Sequence, residues 1–398
     1  MKKYGVWLIG ALGSVGVTVM TGGLALGRGL IAPDGMVTES KPFHDLDLAP
    51  LNALEFGGCD IRCSTILQEV RQMISECRSI DHLLVAEVAD QYESIDRRIK
   101  PGLALNCGTA IASLDEFQQP QKTLLGEVEK IREEISSFKS ENNLEEVVVV
   151  NLASTEPLLN LEEFHLDLGA FEKRLADNHS DNIRSGTLYT YAALLEGCPY
   201  INFTPSNSTL IPALIELAEK EGLPVMGHDG KTGETLVKSV LAPMFVSRNL
   251  EVLSWEGYNM LGNMDGQILN EPENKACKIN SKEHVLTEIL GYQPHSKVSI
   301  SCVPSLSDQK TAMDFIHFKG FMGAKMSLQF TWQGYDSLLA APLVLDMVRL
   351  SLLAKKRGES GLMPQLAPFF KSPQGVDEYD HFKQHELLMD YITKVKGE

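Results

Sequence analysis

The chain has 398 residues, 43% of them hydrophobic, a formal net charge of −17 and seven cysteines. That length accommodates two domains with substantial cores, and that apolar share excludes bulk disorder. The acidic balance argues against nucleic-acid and anionic-lipid partners, which select basic faces, so an anionic ligand would need a local basic pocket.

Lys2-Lys3 and the apolar stretch to about Leu30 imitate a signal peptide. Gly10, Gly13 and Gly16, with the interrupting Arg28, fit a strand-to-helix turn instead, and no other stretch is long and apolar enough to span a membrane. Residues 6–9 read as a buried strand, 10–16 as a glycine turn and 17 onward as a helix, the opening of a Rossmann unit. The spacing is G-x-x-G-x-x-G, with Leu12 where the usual fingerprint has its middle glycine. Taken alone it fits a dinucleotide turn or a tight turn with no ligand.

Cys59, Cys63, Cys77, Cys107, Cys198, Cys277 and Cys302 are odd in number. Cys59-x-x-x-Cys63 has no second pair and no nearby histidine, so no zinc site is read, and the set fits free thiols in a reducing cytoplasm. Residues 66–80 and 121–143 have helical periodicity. Val147 to Val150 is an apolar run suited to a parallel strand covered on both faces. A helix over 186–196 and strands at 200–203 and 224–226 complete a strand–helix alternation, which predicts a doubly wound α/β sheet with ligands beyond the strands' carboxyl ends. Ser154-Thr155, Thr204-Pro205 and Asp229-Gly230-Lys231 fall at such ends.

From Glu234 the pattern changes. A helix runs to about Arg248, and strand-like stretches follow at 298–303 and 326–332, the latter alternating Met326, Leu328, Phe330 and Trp332 as an antiparallel sheet with one covered face does. The apolar stretch 338–353 reads as a further helix. His381-x-x-x-His385 has metal-ligand spacing without a third ligand and reads as a surface pair.

The densest chemistry lies between Gly227 and Lys282. Gly227-His228-Asp229-Gly230-Lys231-Thr232-Gly233-Glu234-Thr235 is followed by Asn259-Met260-Leu261-Gly262-Asn263-Met264-Asp265-Gly266 and by Lys278-Ile279-Asn280-Ser281-Lys282. Ammonium groups match phosphate and developing alkoxide charge, while carboxamides and acids grip hydroxyls. The set suits a phosphorylated polyhydroxyl substrate.

These blocks resemble the signatures of the myo-inositol-1-phosphate synthase family. Others follow in family order, among them Phe56-Gly57-Gly58-Cys59-Asp60-Ile61, Ser154-Thr155-Glu156, Ser307-Asp308-Gln309-Lys310, Asp336-Ser337-Leu338 and Lys371-Ser372-Pro373. The resemblance implies a Rossmann NAD-binding domain, 1–234 and 340–398, around an inserted α+β catalytic and tetramerisation domain, 235–339. It implies NAD-dependent conversion of glucose 6-phosphate to myo-inositol 1(3)-phosphate by oxidation at C5, aldol closure and re-reduction. Partners would be the sugar phosphate and three further copies of the chain. A cation joins the cofactor set, divalent in some relatives and monovalent in others. A related cyclase for another sugar phosphate, or a silent NAD-binding regulatory protein, remain as alternatives.

By the same resemblance Lys278 handles the C5 proton, Lys282 and Lys310 hold phosphate and sugar oxygens, and Lys371 stabilises the C1 oxygen. A helix would put Lys278 and Lys282, spaced i, i+4, on one face. Lys231 would touch phosphate or cofactor from its loop. Asp229, Asn259 and Asp265 complete the catalytic set. Gly10, Gly13, Ser14, Val15 and Gly16 approach the pyrophosphate and Asp60 the adenosine ribose, with Ile61 beside it. Ser154, Thr155, Thr204, Thr232, Asn263, Asp265, Asp308, Asp336 and Ser337 complete the cofactor set. As isolated residues, Asp308 and Asp336 also fit helix caps. Ser14-Val15, Ser154 and Met264 depart from the family's usual asparagines, which bears on cofactor affinity.

Overall fold

The structure, a computed structural model, describes residues 2–118, 122–263, 266 and 285–397. Seven strands form one parallel sheet: β1 (Tyr4–Ile9), β2 (Leu54–Asp60), β3 (Ile99–Pro101), β4 (Glu146–Asn151), β5 (Tyr200–Asn202), β6 (Pro224–Gly227) and, late in the chain, β11 (Gly361–Leu362). Their order, β11-β6-β5-β4-β1-β2-β3, is the Rossmann order with one strand added beyond β6. All six pairings are parallel, with Tyr4 opposite Leu54 on one side and Glu146 on the other.

The period-two geometry of a strand sends successive side chains to opposite faces. Val6, Leu8, Val148 and Val150 enter one core layer under helices α1 (Ser14–Gly27) and α7 (Asp336–Lys356). Trp7, Ile9, Val147 and Val149 enter the other, under α3 (Leu124–Glu141) and α4 (Ser185–Leu195). Two covered faces explain the unbroken valine run of β4. Helix α2 (Ile66–Cys77) follows β2, and α5 (Pro212–Lys220) precedes β6. Helix α7 is the one described helix long and apolar enough for a membrane, but 78% of its apolar window is buried in the molecule. It is a core helix.

After α6 (Glu234–Ser247) comes a second sheet of β7 (Glu251–Leu261), β8 (His295–Cys302), β9 (Gln309–Lys319) and β10 (Lys325–Tyr335), in the order β10-β9-β7-β8. One face packs Trp255, Val252 and Ile316 against Phe245 of α6. The expected antiparallel sheet is corrected in part: β9 pairs antiparallel with β7 and β10, but β8 runs parallel to β7. Alternation reports which face is covered and carries no strand direction. Tyr258 and Asn259 lie in β7. The chain then returns through α7 and β11 to the parallel sheet and ends its described part in α8 (His381–Gly397).

Candidate active site

The strand order reverses between β1 and β4, and a cavity of about 480 Å³ opens beyond their carboxyl ends. That is within the range of small-molecule sites. Its floor is the turn after β1. Gly10 and Ala11 both donate backbone N–H groups to the Cys59 carbonyl, at 2.9 and 3.1 Å. Gly10 has φ +81°, and a Cβ there would stand 2.9 Å from Ala153 Cα. A Cβ on Gly16, one turn into α1, would stand 2.5 Å from the Ala11 carbonyl oxygen. Gly10, Gly13, Ser14 and Val15 line the cavity, and Gly16 supports the turn from behind. A backbone cradle that side chains would fill fits a dinucleotide pyrophosphate at a helix N-terminus.

Asp60 closes β2 and is buried. Its Oδ2 accepts from Leu12 N at 2.8 Å and its Oδ1 from Arg62 N at 3.0 Å. Burial pushes its carboxyl up, against the pull of the Arg62 charge and those two backbone donors. Ile61, Ser154, Thr155 and Thr204 line the wall beyond it. The Thr204 hydroxyl donates to Asn202 Oδ1 at 2.7 Å, which fixes the loop after β5.

At the inner end two loops are zipped together. Asp229, with φ +65°, donates its N–H to the Thr204 carbonyl at 2.9 Å. Lys371 N donates to the Asp229 carbonyl at 2.6 Å, and His228 N to the Ser372 carbonyl at 3.0 Å. Lys371 Nζ donates to Asp229 Oδ1 at 2.7 Å. Both side chains are buried and both residues line the cavity, together with Thr232. A desolvated, oriented ammonium is a strong electrostatic group for an oxygen that gains charge.

The third wall joins β7, β9 and α7. Ser337 Oγ donates to Asp308 Oδ2 at 2.5 Å and Asn263 Nδ2 to Asp308 Oδ1 at 3.1 Å. Burial raises the Asp308 carboxyl, and those two hydrogen bonds oppose the rise. Asn263, Asp308, Asp336 and Ser337 line the cavity. Lys310 reaches this wall through its ion pair with Asp336, at 3.2 Å. Asn259 is buried on β7 and is not among the lining residues. Lys278, Lys282 and Asp265, with Met264, lie outside the described residues.

Three readings of single residues are corrected. Asp308 precedes strand β9 and caps no helix, although Asp336 does open α7. Lys231 turns away from the cavity: its Nζ donates to Gln384 Oε1 on α8, and burial pushes its ammonium down to about 7. His381 is half-buried beside it, pushed down to about 4 by burial and by the charges of Lys231 and His385.

The structure also brings to the cavity residues that spacing did not single out. Glu156 is buried, with Oε1 accepting from Gly186 N at 2.9 Å and Oε2 from Ser208 Oγ at 2.5 Å, so it ties the loop after β4 to the start of α4. Arg62 and Glu69 line the outer end and pair with each other. An arginine two positions beyond the β2 acid was a visible signal; its partner seven residues on was not.

Residues 4–393 match the family model described as myo-inositol-1-phosphate synthase, an NAD-binding one. The chain is 34% identical to inositol-3-phosphate synthase 1 of Bacteroides thetaiotaomicron, over 98% of this chain and 93% of the relative. It is 30% identical to inositol-3-phosphate synthase 1 of Oryza sativa subsp. japonica, over 99% of this chain and 81% of the relative. The crystal structure of inositol-3-phosphate synthase from Caenorhabditis elegans superposes with a TM-score of 0.89 at 26% identity, covering 99% of this chain and 86% of that one. A myo-inositol-1-phosphate synthase-related protein from Thermotoga maritima shares the fold, with a TM-score of 0.79 at 23% identity over 98% of both chains. The glycine cradle, the buried Asp229–Lys371 pair and a match along nearly the whole chain converge: this chain belongs to the myo-inositol-1-phosphate synthase family, a family of enzymes.

Proposed function

We propose that the chain converts glucose 6-phosphate to myo-inositol 1(3)-phosphate in the cavity between the two sheets. The observation that carries the reading is the buried Lys371–Asp229 pair lining the same cavity as the glycine cradle after β1. Bound there, NAD supplies a hydride acceptor for C5 of the sugar and a hydride donor after ring closure. Lys371 presents its ammonium to the C1 oxygen, where negative charge develops as C6 attacks the aldehyde carbon. Asp229 holds that ammonium in place, and the burial of both groups keeps water from screening it. Lys310, anchored by Asp336, contributes positive charge for phosphate or sugar oxygens. Lys278 moves the C5 proton and Lys282 holds phosphate, roles taken from their motif. Asn259, Asn263 and Asp265 orient substrate or nicotinamide amide.

The dinucleotide unit spans 1–234 and 340–398 and contributes the Asp229–Lys371 pair, while the insert 235–339 supplies the other catalytic residues and carries assembly. We read the assembly as a tetramer. Tyr258, Met313 and Phe315 support this, because they stand exposed on the sheet face that α6 leaves open. Work in the cytoplasm is supported by cysteines that are all free among the described residues.

The test is purified protein given glucose 6-phosphate and no added NADH, with inositol phosphate detected by mass spectrometry. Repeating it with EDTA, then with magnesium or potassium, measures the cation requirement. Lys371→Ala should lower turnover by about 10²–10³, the scale of one lost oxyanion donor, while dinucleotide content stays at the wild-type level. No product from wild type with NAD supplied, or near-normal turnover of the variant, would defeat the reading.

A further inference from the structure

We propose that Glu69 is a specificity-determining residue: by holding Arg62, it closes the adenosine end of the site to NADP and commits it to NAD. This rests on reading the cavity as the dinucleotide site. In Rossmann folds an acid near the end of the second strand takes the ribose 2′-hydroxyl of NAD, whereas a nearby arginine accommodates the 2′-phosphate of NADP. This chain has both, Asp60 as the last residue of β2 and Arg62 two positions on. From sequence the pair is ambiguous.

The contacts around Arg62 remove the ambiguity. Arg62 Nη1 donates to Glu69 Oε2 at 3.3 Å, Nε stands 3.5 Å from Asp60 Oδ1, and Nη2 donates to the Leu12 carbonyl. A guanidinium has five N–H donors in a rigid fork, and here each of its nitrogens already faces a protein acceptor. The Arg62 side chain is 22% exposed and that of Glu69 16% exposed, so both face the cavity from a fixed, partly desolvated position.

Glu69 is itself well held. It lies in the first turn of α2, whose start is fixed by reciprocal hydrogen bonds: Gln68 N to Thr65 Oγ1 at 3.3 Å and Thr65 N to Gln68 Oε1 at 3.0 Å. A 2′-phosphate carrying about −1.5 to −2 charge would therefore meet the carboxylates of Asp60 and Glu69 against a single arginine that both already engage. A neutral 2′-hydroxyl meets no such repulsion.

The experiment is isothermal titration of NAD and NADP into the full-length protein after exchange of any carried nucleotide, for wild type, Glu69→Ala and Glu69→Gln. Wild type should bind NAD at least about 100-fold more tightly than NADP. Glu69→Ala should tighten NADP at least about tenfold, roughly 1.4 kcal/mol, with NAD changed less than about threefold. Glu69→Gln keeps the helix contacts and loses the charge, and should move NADP the same way. Adding Arg62→Met to Glu69→Ala should abolish the gain. Wild type that binds NAD, with both Glu69 variants keeping its preference, overturns the proposal alone. Wild type that binds neither nucleotide overturns the cavity reading along with it.

Discussion

Lys231 shows how a side chain's direction decides its role. The lysine sits two residues from Asp229, yet its ammonium points into the seam with α8, against the neutral amide of Gln384. Burial pushes it down to about 7, opposed by the charge of Asp380, while the neighbouring His381 lowers to about 4. An unfolded lysine keeps its proton to about 10.4. Between those values the unfolded chain binds the extra proton, so folding stability rises with pH across that window, by at most about 1.4 kcal/mol per unit. Lys231→Met removes the titration. The melting temperature of wild type minus that of Lys231→Met should therefore grow from pH 7 to pH 9, and parallel profiles would exclude the effect. The sequence showed an ammonium in a motif loop but not its direction. A loop residue points where its neighbours allow, and here the neighbour is a helix about 150 residues further on.

At the scale of elements, the glycine turn has the least tolerance. Gly16→Ala would press a methyl group on the Ala11 carbonyl at 2.5 Å, against backbone with no free rotamer to give way. The turn must move, at a cost of about 1–3 kcal/mol. NAD affinity should fall at least about tenfold, about 1.4 kcal/mol; titration together with a thermal melt measures both, and unchanged NAD binding would remove the turn from the site. Four strands of the parallel sheet, β1, β4, β5 and β6, were legible from their apolar runs, whereas β2, with Gly57 and Gly58 inside it, and the short β3 and β11 carry no such run. The second sheet was legible only in part. Gly257 and Asn259 lower the strand propensity of β7, and packing of Trp255 and Val252 against α6 overrides them. Asp308 looked like a helix cap because Gln309, Lys310, Ala312 and Met313 are good helix formers, yet the register of this stretch with β7 and β10 makes it strand.

For the whole molecule, the exposed face of the second sheet is the surface that we assign to assembly. Tyr258 and Met313 are direct cross-strand neighbours, 47% and 48% exposed, with Phe315 on the same face. Light scattering should give the mass of four chains of 43.9 kDa each. Met313→Glu places a charge in the middle of that face and should yield smaller species. A monomeric wild type at micromolar concentration would refute the assembly. Neither the stoichiometry nor the face was legible in the sequence, since exposure of one apolar residue is ordinary and only the register gathers three of them.

The zipped loops at Asp229 and Lys371 also set an order in time. A ribosome delivers the cradle at Gly10 first, then Asp229, and Lys371 142 residues after that. Until residue 371 emerges, Asp229 lacks its cation and the Thr204 loop lacks one of its walls. Strand β11 likewise joins β6 only after α7 has been threaded back onto the sheet. The nascent chain can therefore build most of its first core while its pocket is still open, and contacts of such long sequence separation form slowly. Emergence of residue 371, not the folding of the first strands, is the event that makes the site whole.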